Sequence, residues 1–256
     1  MEYLVIEIFA QTASFRNPEF QNFHKTLLLP PPTTVFGMAG AAMGLSPKAT
    51  QDFFDQGNWQ LGIYGKAEGK GKDLWKYRTM AFEKQKKSLG LKKDDPLDLR
   101  NDDPKSIINR EILYKNHFIF VFGHEDTERL EKLHDAFFSP IYALTVGNSD
   151  SLANIINVSW ATGVISSRKI AHCMVAGDIV SAVMDKAIED PEFSINSTSE
   201  PIAYDLPVQF SYKKDYGVRS VSARKTLSIV GEAMELNMNI SGISYKNHFI
   251  PVFSIR

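Results

Sequence analysis

Residues 28–44 read LLPPPTTVFGMAGAAMG, and the meaning given to that run decides the fold. Prolines at 30–32 cannot donate to a helix ladder and lead rigidly into it, so the spacing predicts a helix from Val35 to about Met43, with Thr33 or Thr34 capping its free N–H groups. Gly37, Gly40, Ala41 and Gly44 fall at i, i+3, i+4 and i+7 and share one face. A glycine inside a helix costs about 0.5–1 kcal/mol against alanine, so a stripe of them calls for a close approach. The expected one is tight packing on a sheet; direct contact with a ligand is the other use of a bare helix face.

Working outward, Tyr3–Phe9 is β-branched and aromatic and reads as a first strand. After the helix, WQLGIYG (59–65) and REILYKNHFIFVFG (110–123) read as two more strands. In EDTERLEKLHDAFF (125–138), Leu130, Leu133 and Phe137 recur at helical spacing behind an acidic first turn. IYALTVG (141–147) then reads as a fourth strand after Pro140. Strand, helix, strand, strand, helix, strand predicts an α+β chain whose residues 1–150 form a ferredoxin-like (RRM-like) split βαββαβ unit. Residues 151–256 read as a smaller β-rich region, with a helical stretch over 168–189 and strands in AYDLPVQFSY (203–212), RKTLSIVGEAMELNMNI (224–240) and ISYKNHFIPVF (243–253). YKNHFIFVF (114–122) and YKNHFIPVF (245–253) differ only at Phe120 against Pro251, and the proline predicts a sheet edge for the second copy.

The bulk properties narrow the function classes. At 256 residues and 43% hydrophobic content the chain can fill a real core, and a net charge of −1 excludes a globally basic nucleic-acid binder. Cys173 is the only cysteine, so neither an intrachain disulfide nor a thiolate metal cluster is possible, and a reducing, cytoplasmic location is expected. Its apolar surroundings predict an inert buried thiol, not a dyad with His172. The opening MEYLVIEIFAQTASFR lacks the basic leader of a signal peptide. No stretch reaches the roughly 18 apolar residues of a membrane span; Asp178 interrupts IAHCMVAGDIVSAVM. The Asn-x-Ser/Thr matches at Asn157, Asn196 and Asn239 are therefore read as chance. The six histidines show no metal-ligand spacing, and neither a phosphate-loop nor a dinucleotide fingerprint is present, so no metal and no cofactor is expected.

Charge is concentrated locally. Between Lys66 and Lys93 lie ten basic residues against three acids, a net of +7, interleaved with Trp75, Tyr77 and Phe82. Lysine and arginine supply phosphate affinity and aromatic rings supply stacking platforms for unpaired bases, which points to single-stranded RNA. Lys76, Arg78, Lys84, Lys86 and Lys87 are the candidate contacts. A solvated loop, partly neutralised by the following DDPLDLRNDDP (94–104), is the competing reading. A second cluster, YKKDYGVRSVSARK (212–225), has five cations and one acid and offers Lys213, Lys214, Arg219 and Arg224 to phosphate.

ASFRNP (13–18), LPPPTTVFGMAGAAMG (29–44), REILYKNHFIFVF (110–122) and SPIYALTVGNSDSL (139–152), in that order, resemble the CRISPR-associated Cas-five family of the RAMP superfamily. The resemblance covers the first 155 residues, and the remaining hundred match only through YDLPVQFSY. It implies a subunit of a type I Cascade complex, of the I-B kind, that grips the 5′ handle of crRNA. Such a subunit contacts the backbone (Cas-seven type) and large (Cas-eight type) subunits and meets target DNA only indirectly. The family's projecting thumb would correspond to the basic insertion, about 66–104. Phe15, Arg16 and Lys25 would stand in the post-strand loop facing RNA, and Asn148 and Ser149 in the turn after Gly147, where many relatives carry a basic residue instead of Asn148.

One branch of that family, in subtype I-C, cleaves precursor crRNA without metal through a tyrosine, a lysine and a histidine. Tyr114, Lys115 and His117 supply those residue types here, although on a regular strand Lys115 and His117 share a face that Tyr114 does not. The expectation is a non-catalytic RNA binder, with Lys115 and His117 among its contacts and the metal-independent endoribonuclease as the alternative.

Overall fold

The computed structural model describes residues 1–20, 23–78, 86–87, 90–92, 105–189, 196–197 and 201–255. In chain order its elements are β1 (Glu2–Ala13), β2 (Phe15–Arg16), β3 (Thr26–Leu27), α1 (Pro32–Ala42), α2 (Pro47–Phe54), β4 (Gln60–Arg78), β5 (Lys105–His124) and α3 (Thr127–Phe138). They continue with β6 (Asn154–Thr162), β7 (Ile165–Ile170), β8 (Cys173–Ala176), α4 (Ile179–Glu189), β9 (Asn196–Ser197), β10 (Ile202–Tyr212), β11 (Arg219–Val230), β12 (Met234–Tyr245) and β13 (His248–Ser254).

β1 is apolar at nearly every position because both of its faces are covered. Leu4, Ile6 and Ile8 meet Val35 and Met38 of α1 and Leu130, Leu133 and Phe137 of α3 in the main core. Tyr3 and Val5 point the other way, onto Tyr64, Ile119, Val121, Ile243 and Ile250. Along its edges β1 pairs antiparallel with β5, from Glu2↔His124 to Ala13↔Leu113, and with β6, from Glu2↔Thr162. β4 pairs antiparallel with the far side of β5, so the spatial order is β6-β1-β5-β4. The molecule is thus a mixed α and β protein built on a large antiparallel sheet.

Several expectations are corrected. The fourth strand is not 141–147: that segment is a loop whose Leu144 and Val146 are buried and whose backbone closes on Ala153 and Ser151, and β6 at 154–162 is the strand beside β1. Alternating apolar residues satisfy a packed turn as well as a strand, and Gly147 at φ +91° marks the turn. Helix α1 begins at Pro32, with Pro31 as its cap and no side-chain capping bond, so Thr33 and Thr34 lie inside the first turn. The small-residue face is not pressed on the sheet. A Cβ at Gly40 would collide with Thr50 of α2, whereas a Cβ at Gly37 would meet nothing within 4 Å. The helix expected over 168–189 starts only at Ile179, after β7 and β8; Asp178 accepts the Ser181 N–H at 3.1 Å in its first turn.

β13 is not an edge strand. It pairs with β12 over 248–251 and with β4 over 252–254, and Pro251, which has no N–H to give, stands where it changes partner. The same sheet runs on through β4 to β8, β11 and β10. No gap in the ladder therefore falls at residue 150, and β6, from the second half of the chain, completes the strand set of the first.

Candidate nucleic-acid interface

Past Gly65 the buried pattern of β4 stops, but its pairing with β5 continues for another thirteen residues, to Arg78↔Lys105. The insertion expected at 66–104 is thus rooted in a two-stranded ribbon that exposes Lys66, Lys70, Lys72 and Lys76 and leaves Leu74 and Ile107 uncovered on the same pair of strands. The side chain of Arg78 and the whole of Lys84 lie outside the described residues. Lys86 and Lys87 stand at the start of a turn closed by Leu91 N–H to Lys86 O at 2.8 Å, with Lys87 exposed.

The post-strand loop clamps this ribbon. Glu111 accepts the Thr26 N–H at 3.0 Å and pairs with Lys70 at 2.8 Å, while Ser14 donates to the Glu111 carbonyl at 2.8 Å. The His24 ring lies 6.3 Å from Trp75, Lys72 sits 5.8 Å from the Phe23 ring, and Lys25 sits 5.0 Å from Phe20. Burial, with Arg16 and Arg110 close by, pushes the His24 imidazole below its ordinary value, so it stays neutral. Arg16 is exposed beside it. Phe15 departs from expectation: it is 2% exposed and packs edge-on to Phe118 at 5.7 Å, so it is core and offers no ring to a base.

The turn after residue 146 reaches the same place. A Cβ at Gly147 would strike the Ser14 carbonyl, so only glycine brings the turn this close to the loop. Asn148 is half-buried and accepts the Ser151 N–H through its carbonyl at 3.1 Å, and Ser149 is exposed. Arg110, which the sequence reading passed over as part of a strand, ties turn to ribbon. Its guanidinium bonds Asp150 at 2.6 Å and Asp73 at 3.0 Å and stacks 4.9 Å from Trp75. Arg110 holds the Asp150 carboxyl below its ordinary range. A charged residue amid REILY was the only signal for it.

Tyr114, Lys115 and His117 each have separate contacts. Lys115 adopts φ +49° and pairs with Glu68 at 2.9 Å, and Tyr114 covers Gly71. His117 is bonded at 2.8 Å to the buried Glu7, which also takes Lys246 at 2.7 Å and the Tyr245 hydroxyl at 2.9 Å. Burial alone would raise the Glu7 carboxyl, but hydrogen bonds from Lys246, His117 and Tyr245 outweigh it and hold it below its ordinary value. Burial pushes the Cys173 thiol up to about 12, leaving it in its unreactive protonated form. Among the described residues no group of three or more His, Cys, Asp or Glu side chains is arranged to hold a metal, and no helix is long and apolar enough to cross a membrane.

The second basic cluster forms the far end of the β10–β11 hairpin. Lys213 and Lys214 are exposed in its turn, and the Arg219 guanidinium carbon sits over the Phe210 ring, 4.1 Å from its centroid. Arg224 is held instead by the Asp205 carbonyl and carboxylate at 2.8 and 3.7 Å. The other end of β10 faces the post-strand loop: Tyr204, Asp205 and Leu206 line a small cleft with Asn17, Pro18 and Glu19.

The family model described as CRISPR-associated protein (Cas_Cas5) matches residues 3–222, and the chain belongs to this Cas5 family. No curated protein matches it in sequence. Among solved structures it is similar to a Cas protein at TM-score 0.34 and 16% identity, where 58% of this chain spans 57% of that one. It is also similar to a CRISPR protein from Archaeoglobus fulgidus at TM-score 0.47 and 14% identity, over 98% and 99% of the two chains. A chain of a CRISPR RNA-guided surveillance complex matches at TM-score 0.48 and 12% identity, over 91% and 90%.

Proposed function

We propose that this chain is the RNA-gripping subunit of a type I CRISPR interference complex of the I-B kind. It binds the 5′ handle of crRNA, contacts the backbone and large subunits, and meets target DNA only through them. Family membership over residues 3–222 supports the setting, and the strand order β6-β1-β5-β4 with α1 and α3 on one face supports a ferredoxin-like split unit as its frame. The observation that carries the RNA reading is the cationic ribbon. Its exposed lysines rise beside Arg16 and Lys25, on a root that Arg110 stiffens by pairing with Asp73 and Asp150 and that Glu111 stiffens by holding Lys70. Cations on a braced ribbon present a phosphate-binding surface with little ordering left to do.

The test is fluorescence anisotropy of labelled handle RNA across a salt series. The logarithm of affinity should fall linearly with the logarithm of salt, by about 0.7 per phosphate neutralised on a single strand. Reversing charge at Lys84, Lys86 and Lys87 together should weaken binding about tenfold or more. Unchanged affinity and unchanged assembly with the backbone subunit would remove the thumb from the proposal. The subunit is proposed to be non-catalytic. Incubation with precursor crRNA in chelator should leave the repeat intact, and a discrete product lost in His117→Ala would establish the endoribonuclease in its place.

A further inference from the structure

Beneath Arg219 a cleft of about 260 Å³ opens between α1, α2 and the β10–β11 hairpin. Its walls are rings: Phe36 stacked on Phe54 at 4.3 Å, with Tyr142, Phe210 and Tyr212 closing the other sides. Gly37 forms the floor. The other two glycines of this segment are explained by their surroundings, Gly40 by Thr50 and Gly44 by its φ of +71° against Ile141, but a Cβ at Gly37 would enter open space. Packing within the chain therefore does not require glycine at 37, and its exposed backbone leaves the cleft open on this side.

The rim says what kind of occupant. Arg219 sits over the Phe210 ring and makes no carboxylate ion pair among the described residues, and Lys213 and Lys214 extend from the turn that joins Tyr212 to it. The nearest acids of α2 are engaged elsewhere, Asp52 by Lys48 and Asp55 by Gln51 and Gln209. An aromatic slot with a cationic rim fits a flat ring carrying a negative group. Its volume lies below the roughly 300–1,000 Å³ of sites for whole small molecules, so one ring system enters and the charge stays outside.

We propose that this cleft takes a single unpaired base of the bound RNA, stacked on the aromatic walls, with the adjoining phosphate held by Arg219 and the hairpin lysines. This rests on the RNA-binding reading and deepens it: the ribbon cations grip the strand without regard to sequence, and the cleft reads one position of it. Stacking on aromatic side chains adds affinity base by base, whatever the base, and the walls set how large a ring is admitted.

The experiment walks an abasic site along the handle RNA, one nucleotide at a time, with the full chain at fixed salt. Wild-type protein should lose about tenfold in affinity at one position, the scale of a lost base stack. Gly37→Leu, which fills the cleft and leaves every cation in place, should bind intact and abasic RNA equally, at the weaker level. Arg219→Gln should weaken binding while keeping the abasic position distinguishable, which covers the case of Gly37→Leu failing to fold by circular dichroism. If RNA binds but no abasic position matters, the cleft proposal is overturned and the RNA reading stands. If wild-type protein binds no RNA, both fall. If Gly37→Leu leaves RNA affinity unchanged but blocks assembly with the other subunits, the cleft holds a protein side chain and the proposal is overturned.

Discussion

At Arg110 the guanidinium is closed in between the Trp75 ring and the carboxylates of Asp73 and Asp150. Its side chain is 7% exposed, while the two carboxylates remain 39% and 49% exposed, so the pairs are screened on one side. Arg110→Met keeps the stem but leaves both acids unpaired, and should cost about 2 kcal/mol in urea denaturation, less than a fully buried pair would. It should also loosen the 147–151 turn. The histidines give a pH dependence of definite sign. His172 and His248 are both held below their ordinary value, first by burial and then by cations and by other histidines. Each therefore folds neutral. Its contribution is intact above the unfolded value near 6.5 and is lost as pH falls from there toward the depressed folded value. Thermal midpoints should drop as pH falls below about 6.5, and the pair His172→Asn with His248→Gln should flatten that slope; an unchanged slope places the titration elsewhere. The sequence showed these side chains only as isolated letters, because what they face is contributed by strands far away in the chain.

Among the elements, α1 separates what a glycine permits from what a glycine is for. Gly40→Val would drive a branched side chain into Thr50 and should destabilise by about 1–3 kcal/mol, whereas Gly37→Ala should stabilise by about 0.5–1 kcal/mol through helix propensity alone. Guanidinium midpoints of the two variants should move in opposite directions. The helix itself was legible from its prolines and its small-residue spacing, and so was α3 from Leu130, Leu133 and Phe137. The partner of the glycine face was not legible, since a bare face fits a sheet, a helix or a ligand equally well. YKNH makes the same point twice. At 245–248 it is the hairpin turn between β12 and β13, with Lys246 at φ +51°. At 114–117 it is a kink inside β5, with Lys115 at φ +49°, and the strand runs on in the same register against both neighbours, from Asn116 opposite Ala10 and Ala67 to Tyr114 opposite Thr12 and Gly69. The local bend is shared, and whether the chain reverses or runs on depends on which strands stand beside it.

For the whole molecule the decisive feature is the ladder that crosses residue 150. β6 completes the edge beside β1, and β8 and β13 pair with β4, so the two halves of the chain share backbone hydrogen bonds and the apolar cluster of Tyr3, Val5, Ile243 and Ile250. Unfolding should therefore pass through one cooperative transition, with fluorescence and circular dichroism coincident. The fragment 1–150, expressed alone, should lack native secondary structure or aggregate, since it carries an unpaired β1 edge and an uncovered apolar face. A soluble, cooperatively folded fragment would overturn this. The amino-acid sequence by itself determined β1, α1, β4, β5 and α3, the concentration of charge between residues 66 and 93, and the family, because periodicity, composition and motif order are local properties of the chain. Tertiary structure decided which strand closes the first sheet, that Phe15 is core, and which cations are consumed by Asp73, Glu68 and Glu111 and which stay exposed. Those outcomes turn on partners as far apart in the chain as Glu2 and Thr162, and a repeat of apolar letters says that a face is buried without saying against what.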